Sequence, residues 1–189
     1  MKTPREVSMK RKNDMKVFIL FLTVSIMQIS GTLSFAAGPW TSIASTGIMT
    51  HSSLSNALIT DNKVEMNSAA PSGSSIVLKY DLQSLATISA PDASNTVNTL
   101  GVSFKDNGSG AQVLVYIKRL DLNSGSLTTI ATFDSNSYPS SDGWQKRTKS
   151  ISTIAFGFDG YAYYIEAQLK KNASGGTPGL FYLLLFSAP

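Results

Sequence analysis

The sequence predicts an all-β protein, an antiparallel β-sandwich or barrel of about nine strands, standing behind an N-terminal signal peptide. Three observations predict it. β-branched and aromatic residues alternate with polar ones through most of the chain after residue 36, turn-forming clusters of Gly, Asn, Asp and Ser recur every 8 to 15 positions, and no stretch carries a convincing helical period.

The N-terminus reads as a targeting segment. Lys2, Arg5, Lys10, Arg11, Lys12 and Lys16 precede an apolar run from Val17 to Leu22 that continues, with Thr23 and Ser25 interspersed, to Ile29. This is a positive region followed by a hydrophobic one. Gly31 breaks the run, and Ser34-Phe35-Ala36 places small side chains at the two positions a signal peptidase needs, so cleavage is expected after Ala36. The apolar stretch of 13 residues falls short of the roughly 20 that span a bilayer as a helix. Met1, Met9 and Met15 are all possible starts, since Met15-Lys16 followed by the apolar run is itself a short signal sequence. The expected division is therefore 1–36 signal peptide and 37–189 a single sandwich domain, secreted or periplasmic.

Removing the signal changes the charge balance. Of 16 basic and 12 acidic residues, the first 36 hold six and two, which leaves ten of each and no net charge. The pI near 9.3 belongs to the targeting segment, and nucleic-acid binding, which needs a concentrated basic surface, loses its compositional support. The remaining basic cluster, Lys146, Arg147 and Lys149, reads as a solvated strand face. With no cysteine, an exported chain has no disulfide scaffold and no thiolate metal ligand. The core alone must hold about 153 residues together, enough for one domain.

Nine strands follow in order: 42–50, 58–66, 75–82, 96–105, 112–122, 127–134, 144–154, 161–170 and 180–186. Asp106-Asn107-Gly108-Ser109-Gly110 and Asn123-Ser124-Gly125 sit between apolar runs and supply the positive-φ residues of hairpins. Both predict antiparallel neighbours. Asn172 to Gly179 is a longer loop joining the last two strands. Alternation assigns Val113, Val115, Ile117, Tyr163, Ile165, Ala167 and Leu169 to the core. Leu180 to Phe186 is apolar on both faces, which predicts a central strand or one whose outer face is covered.

Asp142-Gly143-Trp144-Gln145 leading into an alternating strand, followed by Tyr163-Tyr164-Ile165-Glu166-Ala167-Gln168-Leu169, resembles the later strands of jelly-roll domains of the carbohydrate-binding-module type. With Thr129-Ile130-Ala131-Thr132-Phe133-Asp134 and Ser174-Gly175-Gly176-Thr177-Pro178, the region also resembles small exported bacterial proteins of uncharacterised activity. The resemblance covers roughly residues 100 to 185. It is one of strands and turns, and it implies a fold and no particular activity.

The chemistry-bearing residues are few. His51 is the only histidine, so a His-based metal site is excluded and a Ser-His-Asp triad would have to use it. Glycoside hydrolysis needs two carboxyl groups about 5 to 9.5 Å apart, whereas Asp81, Asp92, Asp106, Asp121, Asp134, Asp142 and Asp159 fall at strand ends or turns. Glu166 alone lies mid-strand, on the face opposite the core set. No cofactor is expected. Calcium asks only for oxygen ligands, which makes the turns at Asp106 and Asp159 weak candidates, although neither has the spacing of a helical calcium loop.

Aromatic residues remain. A glycan site pairs aromatic planes, against which the C–H faces of sugars pack, with hydrogen-bonding side chains. Trp144, Tyr138, Tyr161 and Tyr164, with Trp40, are the aromatics that alternation does not require inside, and with Glu166 the first four form the predicted ligand-binding set. Strand parity puts Trp144 with Lys146 and Thr148, opposite Gln145, Arg147 and Lys149, and since neither face is uniformly apolar Trp144 is expected either to plug the end of the sandwich under a loop or to be a partly exposed ligand contact, with the Tyr138-Pro139 loop and Tyr161 or Tyr164 beside it. The function predicted is an exported non-catalytic binding domain for glycan or another cell-surface ligand. The alternatives are a structural or self-associating envelope protein and, third, a glycoside hydrolase. No membrane span and no nucleic-acid partner are expected after signal cleavage.

Overall fold

The computed structural model describes residues 40–82 and 96–188. The chain divides between Ala36 and Ala37, and only the second unit is described below. The expected signal peptide and Asp92 lie outside the described residues. No helix among the described residues is long and apolar enough to cross a membrane.

Among the described residues eleven strands form two antiparallel sheets: β1 (Trp40–Ile43), β2 (Ile48–Met49), β3 (Ala57–Ile59), β4 (Val64–Met66), β5 (Ser75–Asp81), β6 (Thr96–Asp106), β7 (Ala111–Asp121), β8 (Leu127–Asp134), β9 (Ser141–Ala155), β10 (Tyr161–Lys171) and β11 (Gly179–Phe186). Sheet A has the order β3-β4-β11-β6-β9, with β1 also paired to β11. Sheet B has the order β2-β5-β10-β7-β8. Between them lies one core that includes Phe104, Phe133, Ile76, Leu78, Leu100 and Leu183, all essentially inaccessible. The molecule is an antiparallel β-sandwich of jelly-roll type, with strands switching sheets four times after β6.

Every residue assigned to the core from alternation is buried. β11 is central as predicted, flanked by β6 on one side and by β4 and β1 in succession on the other. The N-terminal part departs from expectation. The strand expected over 42–50 is broken by a 3-10 turn at Ala44–Thr46, where the buried Tyr80 hydroxyl donates to the Ala44 carbonyl at 2.9 Å. Burial holds the Tyr80 phenol far above its ordinary pKa and so fixes it as a donor. Gly47 lies against the same ring, where a Cβ would stand 2.7 Å from it. The expected strand 58–66 is the hairpin β3–β4, closed by Thr60 N–H donating to the Lys63 carbonyl. One helical turn, His51–Leu54, replaces predicted coil.

The loop at 106–110 is a correction of a different kind. It is an arch that carries the chain from sheet A to sheet B, and β6 and β7 do not pair. Gly108 has φ 111° and its N–H donates to Asp106 Oδ1 at 3.0 Å, so the turn chemistry is as read. Turn chemistry reverses the chain but does not decide whether the next strand stays in the same sheet. The 172–178 loop is a second arch between sheets, while the 123–125 turn closes the predicted hairpin of β7 and β8. The two arches are tied together: Asn107 Nδ2 donates to the Gly175 carbonyl and Asn107 Oδ1 accepts from Thr177 N–H, both at 2.8 Å.

Candidate functional site

On the outer face of sheet B, β10 places Tyr164, Glu166 and Gln168 between Lys79 on β5 and Tyr116 and Lys118 on β7. The register sets Glu166 opposite both Lys79 and Tyr116, and Tyr164 opposite both Asp81 and Lys118. Tyr116 and Tyr164 are therefore diagonal neighbours on one face, about 7–8 Å apart at the backbone. Period-two alternation delivers all of these side chains to one surface, because the same strands commit Ile165, Ala167, Val115 and Ile117 to the core.

Glu166 organises this surface. Lys118 Nζ stands 3.0 Å from Glu166 Oε2, and Gln168 Nε2 donates to Oε1 at 2.7 Å. Glu166 is 7% exposed. Burial pushes its pKa up, but donation from Lys118 and Gln168 and the charges of Lys118 and Lys79 outweigh it, so the group lies below its ordinary range and stays ionised. The lysines also pack on the rings: Lys79 Nζ lies 5.5 Å from the Tyr164 centroid and Lys118 Nζ 5.5 Å from that of Tyr116. Two aromatic planes thus flank a fixed set of donors and acceptors. Gln112, which donates to Asp134 Oδ1 at 3.0 Å, extends the polar surface toward β8.

The predicted site residues do not converge on one place. Tyr164 and Glu166 share the sheet B face. Trp144 is on the outer face of sheet A, since β9 is an edge strand of sheet A while β10 is central in sheet B. Its neighbours are Phe181, with ring centroids 5.9 Å apart, Lys63, whose Nζ is 5.2 Å from the ring, and Gly179 beneath it. The expected contacts with Tyr138, Tyr161 and Tyr164 are not made. Parity is correct, but following a strand in sequence is not the same as lying beside it.

Tyr138 stacks on Phe133 at 5.2 Å and 18° and lines a cleft of about 340 Å³ with Asp106, Ser109, Asn136 and Ser140. Tyr161 lies at the opposite end of the sandwich with the Arg119 guanidinium 4.7 Å from its ring. Asp106, expected in a solvated turn, is 3% exposed. Asp159, in the exposed turn beside Gly160, is at the other end, separated by the eleven residues of β7, or about 35 Å. The two calcium candidates thus belong to different ends, and among the described residues no cluster of three or more His, Asp or Glu is placed to hold a metal. Lys146, Arg147 and Lys149 do not share a face: Lys146 reaches the Tyr182 ring on the outside, Arg147 lies over Tyr138, and Lys149 Nζ donates to the Thr132 carbonyl on the edge of sheet B at 2.7 Å.

Sequence reasoning missed Tyr116, Lys118, Lys79 and Gln168. Parity on β7 could have found Tyr116 and Lys118, since both alternate with Val115 and Ile117. Their meeting with Glu166 depends on the pairing of β7 with β10, which no local pattern encodes.

No protein-family model matches the chain, and no curated protein sequence matches it. Solved structures similar to it include a carbohydrate-binding module, CBM36, in complex with calcium and xylotriose, at 13% identity and a TM-score of 0.46, covering 77% of this chain and 98% of that one. CsCBM6-3 from Clostridium stercorarium in complex with cellobiose is 12% identical with a TM-score of 0.45, covering 79% of this chain and 94% of that one. The xylan-binding module CBM15 is 12% identical with a TM-score of 0.38, covering 82% and 96%.

Proposed function

We propose that the chain is an exported, non-catalytic glycan-binding domain that takes its ligand on the outer face of sheet B. The observation that carries this reading is the placement of Tyr116 and Tyr164 on either side of the Glu166, Lys118 and Gln168 cluster. Sugar rings offer apolar C–H faces to aromatic planes and hydroxyls to fixed donors and acceptors, and this surface presents both. The lysine stems and the Glu166 ties hold the groups in place before binding, which lowers the entropy lost on association. Glu166 supports a binding role over an acid-catalytic one. A carboxylate held ionised by a lysine and an amide cannot donate a proton near neutral pH.

A glycan array followed by calorimetry tests this. Tyr116→Ala and Tyr164→Ala are each expected to weaken binding about tenfold, or about 1.4 kcal/mol, with the β-sheet spectrum unchanged. Wild-type affinity in both variants would remove the site. For export, the reading is cleavage after Ala36, and mass spectrometry of secreted or periplasmic protein should find a chain beginning Ala37-Gly38-Pro39.

A further inference from the structure

The outer face of sheet A carries a second set of aromatic and charged groups. Lys63, Trp144, Phe181, Tyr182 and Lys146 form a row: Lys63 Nζ is 5.2 Å from Trp144, Trp144 is 5.9 Å from Phe181, Phe181 is 5.5 Å from Tyr182, and Lys146 Nζ is 5.8 Å from Tyr182. The bulge in β11 between Leu180 and Tyr182 puts two successive aromatics into this row. Gly179, glycine where a Cβ would stand 2.8 Å from Trp144, lets the six-membered ring of the indole approach the strand closely. Glu65 pairs with Lys105 at 3.7 Å, and among the described residues Lys63 and Lys146 have no carboxylate partner. The face is thus aromatic along its middle and cationic at both ends, while the chain from Ala37 onward is neutral as a whole.

We infer that this face is a second binding surface, and that its occupant is a uronate-bearing polysaccharide. Charge complementarity selects an anion, because the two unpaired ammonium groups already lie against ring faces and would gain a counter-charge on binding. A uronate carries its carboxylate at the edge of the sugar ring and leaves the ring faces free to pack on Trp144 and Tyr182. A second copy of this chain docked face to face would set Lys63 and Lys146 against a like-charged surface. A lipid surface calls for side chains that project into it, whereas Trp144, Phe181 and Tyr182 are all half-buried within the face.

The test is gel-retardation affinity with polygalacturonate and with the same polymer after carboxyl reduction, using the chain from Ala37. Retention is expected on polygalacturonate, lost on the reduced polymer and weakened by added salt. Lys63→Gln and Lys146→Gln, which leave the sheet's packing intact, should each weaken binding about fivefold. Thr128→Ala, exposed on β8 and in neither set of side chains, should leave it unchanged. Equal retention on both polymers, insensitivity to the lysine changes, binding to phosphatidylglycerol vesicles but not to polygalacturonate, or a dimer by light scattering that the lysine changes dissolve would each overturn the inference. Because the two faces have separate variants, loss of one site leaves the other standing.

Discussion

An added Cβ at Gly179 would stand 2.8 Å from the Trp144 ring and 3.1 Å from the Glu65 side chain, so the glycine and the tryptophan are fitted to each other. Gly179→Ala is expected to cost about 1–3 kcal/mol by overpacking, and Trp144→Ala about 2 kcal/mol, below the range for a fully buried aromatic because the indole is only partly buried. The double variant should be less destabilised than the sum, and urea unfolding of all four proteins measures that coupling. Glu166 gives a second residue-scale expectation. Its pKa is lower in the folded state than in the unfolded one, so its contribution is fully present above the ordinary carboxylate range and is lost as pH falls through the folded value. Unfolding free energies of wild type and Glu166→Gln should differ by a constant amount at neutral pH and converge below about pH 4. A gap that widened on acidification would refute the assignment.

Among elements, the two arches between the sheets depend most on a single side chain. Asn107 supplies one donor to the Gly175 carbonyl and one acceptor to Thr177 N–H, as a backbone peptide would. Asn107→Ala should cost about 1–2 kcal/mol and raise hydrogen exchange across 172–178 before it affects β10 or β11. Gly176, where a Cβ would overlap the Gly110 carbonyl oxygen, marks how closely the arches approach. Edge strands are managed in the same local way. Lys149 caps the Thr132 carbonyl on β8, occupying an acceptor that an exposed edge would offer to another chain.

For the whole molecule, the core between the sheets runs from Trp40 to Leu185 with no cross-link, since the chain has no cysteine. Its melting temperature should therefore be the same with and without reductant, and a scan in both conditions checks it. The two outer faces differ in kind. That of sheet B mixes both charge signs around two tyrosines, and that of sheet A sets unpaired lysines at the ends of an aromatic row. A two-layer sandwich has two such faces because each strand alternates, and burial of one set of side chains presents the other to solvent.

What the sequence determined by itself was what period-two alternation and turn chemistry encode: the strands from β5 onward within a residue or three, the inward set on β7 and β10, the central place of β11, and the outward placing of Glu166. These depend on neighbours along the chain. Tertiary structure alone decided that 106–110 crosses between sheets, that β9 and β10 lie in different sheets, and hence that Trp144 meets Phe181 and Lys63 while Glu166 meets Lys118. The same turn can close a hairpin or an arch, and the choice rests on which arrangement buries Phe104, Phe133 and Leu183 in one core. The outer face of sheet B, made of side chains from β5, β7 and β10, comes into existence only when those strands pair, so its composition is a property of the register and of no single segment.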